Sequence, residues 1–262
     1  MTHESLSYEI HGLVGLIKIN RPEKLGAFTL PMIDKWASAL TTAKEDDAVR
    51  AVVLTGTGRG FCTGVDLDEI DAAGASPIAG KRLLTEHVYK VVHAVEDLDK
   101  PLICAVNGLA IGAGMDMALM CDIRLAATSA RFSEGYIRVG LVPGDGGAYF
   151  LPRLVGTAKA LELLWTGDDL SAQDALALGL VSHVYPVDEL LDEAMALANR
   201  IGANSPVAVS MIKRAVYQSF RSDLRTSLDM ISSHIGIVQA TDDYREAVAA
   251  FRNKRAPTFK NC

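Results

Sequence analysis

No stretch of about 18 uncharged apolar residues occurs in this chain, which argues against an ordinary membrane-spanning helix. Met1 to Glu9 is polar and has no apolar centre, so no secretory leader is expected and the expected location is cytoplasmic. The four cysteines, Cys62, Cys104, Cys121 and Cys262, form no Cys-x-x-Cys pair. Cys104 and Cys121 lie inside apolar runs, which predicts buried free thiols in a reducing compartment rather than disulfides. The six histidines show no His-Glu-x-x-His or comparable ligand spacing, so no metal is expected. Gly56-Thr57-Gly58-Arg59-Gly60 departs from Gly-x-Gly-x-x-Gly, and no Gly-Lys-Ser/Thr follows it. A dinucleotide site or P-loop is therefore not expected there. The Gly-x-Ser-x-Gly elbow, the commonest hydrolase signature, is missing as well.

The 262 residues are 49% hydrophobic and 22% charged, enough to bury a full core without covalent staples. A formal net charge of −6 argues against a surface that binds a phosphate backbone. An anionic ligand would have to be held by local basic groups. Val14–Ile19 alternates and is rich in β-formers, which predicts a strand. Thr29 is a candidate cap for a helix from about Pro31 through Trp36 and Leu40. The runs at 49–56, 101–108 and 121–127 read as buried strands, with helices at about 81–96 and from Ile111 to Met120. That alternation predicts parallel strands joined by helical crossovers. Beyond about Leu154 the segments 157–166, 171–178, 187–203, 206–220, 222–239 and 242–253 read as helices, and 181–185 as a strand. We therefore expect an α/β core over 1–200 and a helical layer over 201–262. The apolar positions of that layer pack on its own core, and part of the face is available to another subunit.

Two turns hold candidate chemistry. Between Asn107 and Asp116, small residues at Ala110, Gly112, Ala113 and Gly114 allow a ligand to approach the backbone as a helix begins. The N–H groups of a first helical turn have no intrahelical partner and sit at the positive end of the dipole, which is what an oxyanion hole requires. The glycines are equally explained by tight packing of the helix on the sheet. In the second turn, Pro143-Gly144-Asp145-Gly146-Gly147, Asp145 is placed either to cap a helix or to act as an acid or base.

The block CAVNGLAIGAGMDMALMCDIRLAA, with GRGFCTGVDLDEI before it, RVGLVPGDGGAYFLPRLVG after it and DDYREAVAAFRNKRAPTFK at the end, resembles the crotonase (enoyl-CoA hydratase/isomerase) superfamily. The resemblance covers about Ile10 to Lys260. It implies an α/β spiral of stacked ββα turns with a C-terminal α-helical layer that builds trimers, often paired into hexamers. It implies an acyl-CoA substrate, with coenzyme A part of the thioester and no separate cofactor, and no nucleic-acid or membrane partner. It puts two oxyanion-hole amides on Val65 and Ala113, which would stabilise a thioester enolate. The CoA portion would lie along Lys24 to Ala27 and along Val65, Asp66 and Leu67. The tail at Phe259 and Lys260 would reach a neighbouring subunit's nucleotide, with Lys24, Arg59 and Lys260 as candidate phosphate partners.

The chain departs from the two-glutamate pattern of family hydratases. The first position is Asp116 and the second is Tyr136, and hydration needs one group to activate water and another to deliver a proton. Asp145 compensates in part, with Glu134 as the fallback carboxylate, while Tyr136 is expected to donate a hydrogen bond or line the pocket. The expected activity is that of an enoyl-CoA isomerase or hydratase. The alternatives are a hydrolase of the same fold that cleaves a C–C bond of a β-diketone or a thioester, and a non-catalytic acyl-CoA-binding protein.

Overall fold

The alternating Val14–Ile19 segment is the second strand, β2, and pairs antiparallel with β1, Leu6–His11, from Leu6 against Ile19 to His11 against Val14. The computed structural model describes residues 4–66, 68–69 and 76–260. Beyond β2, parallel pairing runs through β3 (Ala51–Gly56), β5 (Leu102–Val106), β7 (Ile123–Ala127) and β10 (His183–Tyr185). Every residue of β5 and the first five of β3 are buried. Strands covered on both faces read as continuous apolar runs, which is why both were legible in the sequence.

Among the described residues a second sheet is assembled from short strands: β4 (Gly60–Cys62), β6 (Leu109–Ile111), β8 (Arg131–Ser133) and β9 (Leu170–Ser171). Each long strand β3, β5 and β7 is followed directly by a short one, and the short ones stack in parallel as β4-β6-β8. These repeating turns form the spiral core. None of the four short strands was assigned from the sequence, and residue 111 was given to a helix instead. Two or three residues carry too little periodicity to declare a strand, and only partners 22 to 49 residues away supply the ladder.

Helix α1 (Leu30–Glu45) buries Met32, Ile33, Trp36 and Leu40 on one face, with proline in its first turn. Thr29 occupies its N-cap position, but no side chain caps the helix, so the expected cap is corrected. The helix expected at 81–96 begins earlier, as α2 (Pro77–Arg82), and continues through a π-helical stretch (Leu83–Val88) into α3 (Tyr89–Glu96). Ser76 caps its start by accepting from the Ala79 N–H. The remaining helices are α4 (Ala113–Leu119), α5 (Gly147–Val155), α6 (Thr157–Thr166), α7 (Ala172–Ala177), α8 (Leu190–Gly202), α9 (Pro206–Ser219), α10 (Leu224–Gln239) and α11 (Asp242–Arg252). Helix α8 buries Leu190, Ala194 and Ala198 in the core. By contrast, α9 buries no side chain and α10 buries only Ser227.

Candidate active site

Gly64 and Ala113, far apart in sequence, lie side by side just past the ends of the paired strands β4 and β6. A methyl built on Gly64 would lie 3.6 Å from the Ala113 nitrogen, and Gly64 itself has a φ of +92°. Phe28 N–H donates to the Gly64 carbonyl, and Asp66 N–H donates to the Phe28 carbonyl. These two bonds flank Val65 and turn its own N–H to the opposite side. Ala113 is the first residue of α4, where an N–H has no partner four residues earlier. Gly112 before it sits at a φ of +54°, which a side chain rarely tolerates. Gly114 has a packing reason: any methyl there would collide with the Cys62 carbonyl oxygen. Packing accounts for Gly114, which lets α4 touch β4, while the positive φ of Gly112 sets the turn that puts Ala113 at the first position of α4.

The Gly56–Gly60 stretch and Gly26 facing it have a packing explanation. Methyls at Gly26, Gly56 and Gly60 would all run into backbone of the facing segments around Leu25 and Phe61. That close approach lays Lys24–Ala27 beside Val65 and Asp66.

Beside the Ala113 turn lies a buried cluster of one phenol and three carboxyls. The Tyr136 ring is 3.8 Å from a methyl position on Gly112. Its hydroxyl donates to Asp116 Oδ2 at 2.7 Å and lies 3.0 Å from Asp145 Oδ2. Asp145 N–H also donates to Asp116 Oδ2, at 3.2 Å. Glu134 joins them, as a methyl on Gly147 would collide with Asp116 Oδ1 and lie 2.8 and 2.9 Å from the two Glu134 oxygens. The relative exposures are 0% for Asp116, 1% for Glu134 and 2% for Asp145. Both aspartates are thus closed off from solvent.

Burial sets the electrostatics of this cluster. It pushes Asp145 up to about 7, helped by the Asp116 charge, and Glu134 up to about 10, again with Asp116 as the main neighbouring charge. Asp116 is also raised by burial, against which its hydrogen bonds work, that of Tyr136 foremost. Tyr136 is raised by burial and then by the two aspartates, so the phenol stays protonated. The capping role considered for Asp145 is corrected: Gly146 is the N-cap of α5, no side chain caps that helix, and Asp145 Oδ1 has no hydrogen-bond partner. The sequence marked Gly147 as part of the Pro143–Gly147 turn but not the room that its missing side chain gives to two carboxyls. Its position after an aspartate-glycine pair was the available signal.

The candidate ligand-binding residues fall into two groups. Arg21 clamps the first group, donating to the Ala27 carbonyl at 2.8 Å and pairing with Asp66 Oδ2 at 2.9 Å. The Asp68 N–H and Arg21 hold the Asp66 carboxyl below its ordinary range, so this carboxylate is already engaged. Lys24 Nζ lies 3.8 Å from Asp66 and from Asp68, and Arg59 is exposed nearby. Leu67 lies outside the described residues. Phe259 and Lys260 are held elsewhere: Arg50 donates to the Phe259 carbonyl at 2.8 Å, and Lys260 N–H to Asp243 at 2.7 Å. Arg50 precedes the first residue of β3, whereas the Lys24–Ala27 turn packs beyond its last. A strand of six residues separates the two by about 20 Å. The three described thiols, Cys62, Cys104 and Cys121, are buried and free, and burial pushes the Cys62 thiol up to about 12. A 570 Å³ cavity between α3, α5 and α9 is lined by none of the cluster side chains and meets the region at Gly146.

A spiral α/β core, with two backbone turns side by side next to a buried acid cluster, defines the class of protein. A family model described as enoyl-CoA hydratase/isomerase matches residues 9–262. The chain is 38% identical over 257 residues to the 1,2-epoxyphenylacetyl-CoA isomerase of Escherichia coli K12, covering 97% of both chains. It is 37% identical to the short-chain-enoyl-CoA hydratase of Clostridium acetobutylicum, again covering 97% of each. A crystal structure of an enoyl-CoA hydratase from Bacillus anthracis superposes with a TM-score of 0.94 at 35% identity, covering 99% of this chain and 100% of that one. The chain belongs to the enoyl-CoA hydratase/isomerase family and is an enzyme of that type.

Proposed function

We propose that this enzyme moves the double bond of an enoyl-CoA thioester and that Asp145 carries the proton. In this reading the thioester oxygen accepts the Val65 and Ala113 N–H groups as negative charge develops on it. Donors aimed at a developing oxyanion are each worth about 10²–10³ in rate. Asp145, as the carboxylate, removes a proton from the carbon next to the thioester. The electron pair delocalises over the enolate and the adjacent double bond, and the same proton returns two carbons further along. Atoms and charge balance without water or a second acid.

One observation carries the choice of isomerisation over hydration: the Tyr136 hydroxyl bridges Asp116 and Asp145 and leaves one oxygen of Asp145, a carboxyl raised to about 7, without a partner. Hydration asks for two groups exchanging roles around that pH, whereas Tyr136 is held as a neutral phenol. Val65, Asp66 and Lys24–Ala27 support the reading of a CoA-binding edge, Asp66 through its backbone because Arg21 occupies its carboxylate. Lys24 and Arg59 offer local positive charge to phosphates on an acidic protein.

The tail at Phe259 and Lys260 is then supplied to the site by a neighbouring copy, and the assembly is a homotrimer or homohexamer. The apolar side chains left uncovered on α9 and α10, among them Ile212, Val216, Leu224 and Leu228, support this. No helix among the described residues is long and apolar enough to cross a membrane, and the buried free thiols favour a reducing, cytoplasmic setting. The test is a substrate comparison on the purified protein with a 3-enoyl-CoA, crotonyl-CoA and a cyclic β-diketone. Isomerisation of the 3-enoyl-CoA should dominate. Efficient hydration of crotonyl-CoA without isomerisation, or cleavage of the diketone, would overturn the assignment.

A further inference from the structure

Carboxylate oxygens only accept hydrogen bonds, and a protonated carboxyl also donates one. Asp116 Oδ2 is well supplied, by the Tyr136 hydroxyl and the Asp145 N–H. Asp116 Oδ1 and both Glu134 oxygens are buried with no hydrogen-bond partner. All three orphan acceptors lie within 2.9 Å of one point, the position that a methyl on Gly147 would occupy. Desolvated lone pairs without donors are costly, and two ionised carboxyls at contact repel. A single proton between them removes both costs.

We propose that Glu134 is protonated in the resting enzyme and donates its O–H to Asp116 Oδ1, acting through Asp116 as a positioning residue for Asp145. The proton sits on Glu134 because Asp116 has donors to stabilise a charge and Glu134 has none. The titratable groups facing Glu134 are Asp116 on α4 and Asp145 in the turn before α5, both acidic. Burial and these two neighbours hold Glu134 up to about 10, whereas Asp145 titrates at about 7. Held ionised by the Glu134 O–H, Asp116 keeps the Tyr136 hydroxyl oriented and presses the Asp145 titration toward neutrality. The consequence for catalysis rests on the reading of Asp145 as the proton carrier.

Two substitutions and one spectrum test this. Glu134→Gln keeps a donor at the same place without a titrating group, so activity and the pH limb from Asp145 should both be retained. Glu134→Leu removes the donor, Asp116 becomes harder to ionise, and Asp145 loses part of the charge that raises it. Its limb should move to lower pH by about one unit, in a protein whose folding is checked by circular dichroism. If Glu134 were ionised at rest, the glutamine variant would lose that charge and shift the limb as far as the leucine variant, which would overturn the proposal. A folded glutamine variant that loses about 10² or more in turnover would overturn it too, by making Glu134 the acid or base itself.

The spectrum is independent of substrate. At a pH between the two titrations, infrared difference spectra of wild type minus Glu134→Gln should show the carbonyl band of a protonated carboxylic acid. Its absence would end the proposal. With a preparation that turns over none of the thioesters tried, the band alone decides the proton pair, and the substrate comparison separately decides the reaction.

Discussion

At the scale of single residues, the structure separates two roles that one aspartate in a glycine turn can fill. Because Asp145 caps nothing, Asp145→Asn keeps the oxygen that faces the Tyr136 hydroxyl and removes only the base. Turnover should fall by about 10² or more while the melting temperature stays near wild type. Wild-type turnover in that variant would remove Asp145 from the chemistry. The working form is the carboxylate, so kcat/KM should rise with pH through about 7, and a flat profile there would contradict the assignment. The same titrations bear on stability with the opposite sign. Carboxyls raised in the native state bind more protons folded than unfolded, so their stabilisation is lost as pH rises. Asp145 contributes fully below its ordinary value of 3.8, and that contribution disappears through about 7. For Glu134 the decline runs from 4.5 to about 10. Chemical denaturation at a series of pH values should show the decline continuing above neutrality in wild type and flattening in Glu134→Gln.

At the scale of elements, the proposed oxyanion hole rests on the first turn of α4. Proline is accepted at the first position of a helix, so Ala113→Pro should fold while deleting the N–H. A loss of about 10²–10³ in kcat is expected, against little change in Val65→Ala, where the backbone donor is kept. Full activity in a folded Ala113→Pro protein would rule out that amide. One residue further on, Gly114→Ala drives a methyl into the Cys62 carbonyl of β4. Overpacking of this kind costs about 1–3 kcal/mol, read as a shift of the denaturation midpoint. No shift would mean that α4 and β4 separate more easily than their contact suggests.

At the scale of the whole molecule, α10 leaves Leu224 at 74% and Leu228 at 57% exposure. They sit four residues apart, where side chains of a continuous helical surface would be neighbours. Exposed apolar side chains gathered on one face mark an interaction surface. Light scattering at micromolar concentration should give a trimer or hexamer, and Leu224→Asp should lower the mass toward the monomer. If the tail at Phe259 and Lys260 serves a neighbouring copy's ligand, that variant should also bind CoA thioesters more weakly. A wild-type protein of monomeric mass would refute both statements.

The buried strands at 51–56 and 102–106 and the helices after Thr157 were fixed by the sequence itself. Their apolar runs and periodic faces are local properties of the chain, readable wherever burial is complete on both sides or confined to one stripe. The small residues from Gly112 to Gly114 marked the backbone turn for the same reason: what a glycine permits is decided at its own position. Tertiary structure alone decided the short strands, because segments of two or three residues become strands only by pairing with distant ones. It also decided the acid cluster. Asp116, Glu134, Tyr136 and Asp145 span 29 positions of sequence, and each has an ordinary titration in isolation. Only their joint burial around Gly147 moves Asp145 to about 7 and Glu134 to about 10, because desolvation and like-charge repulsion arise from neighbours that no local pattern names.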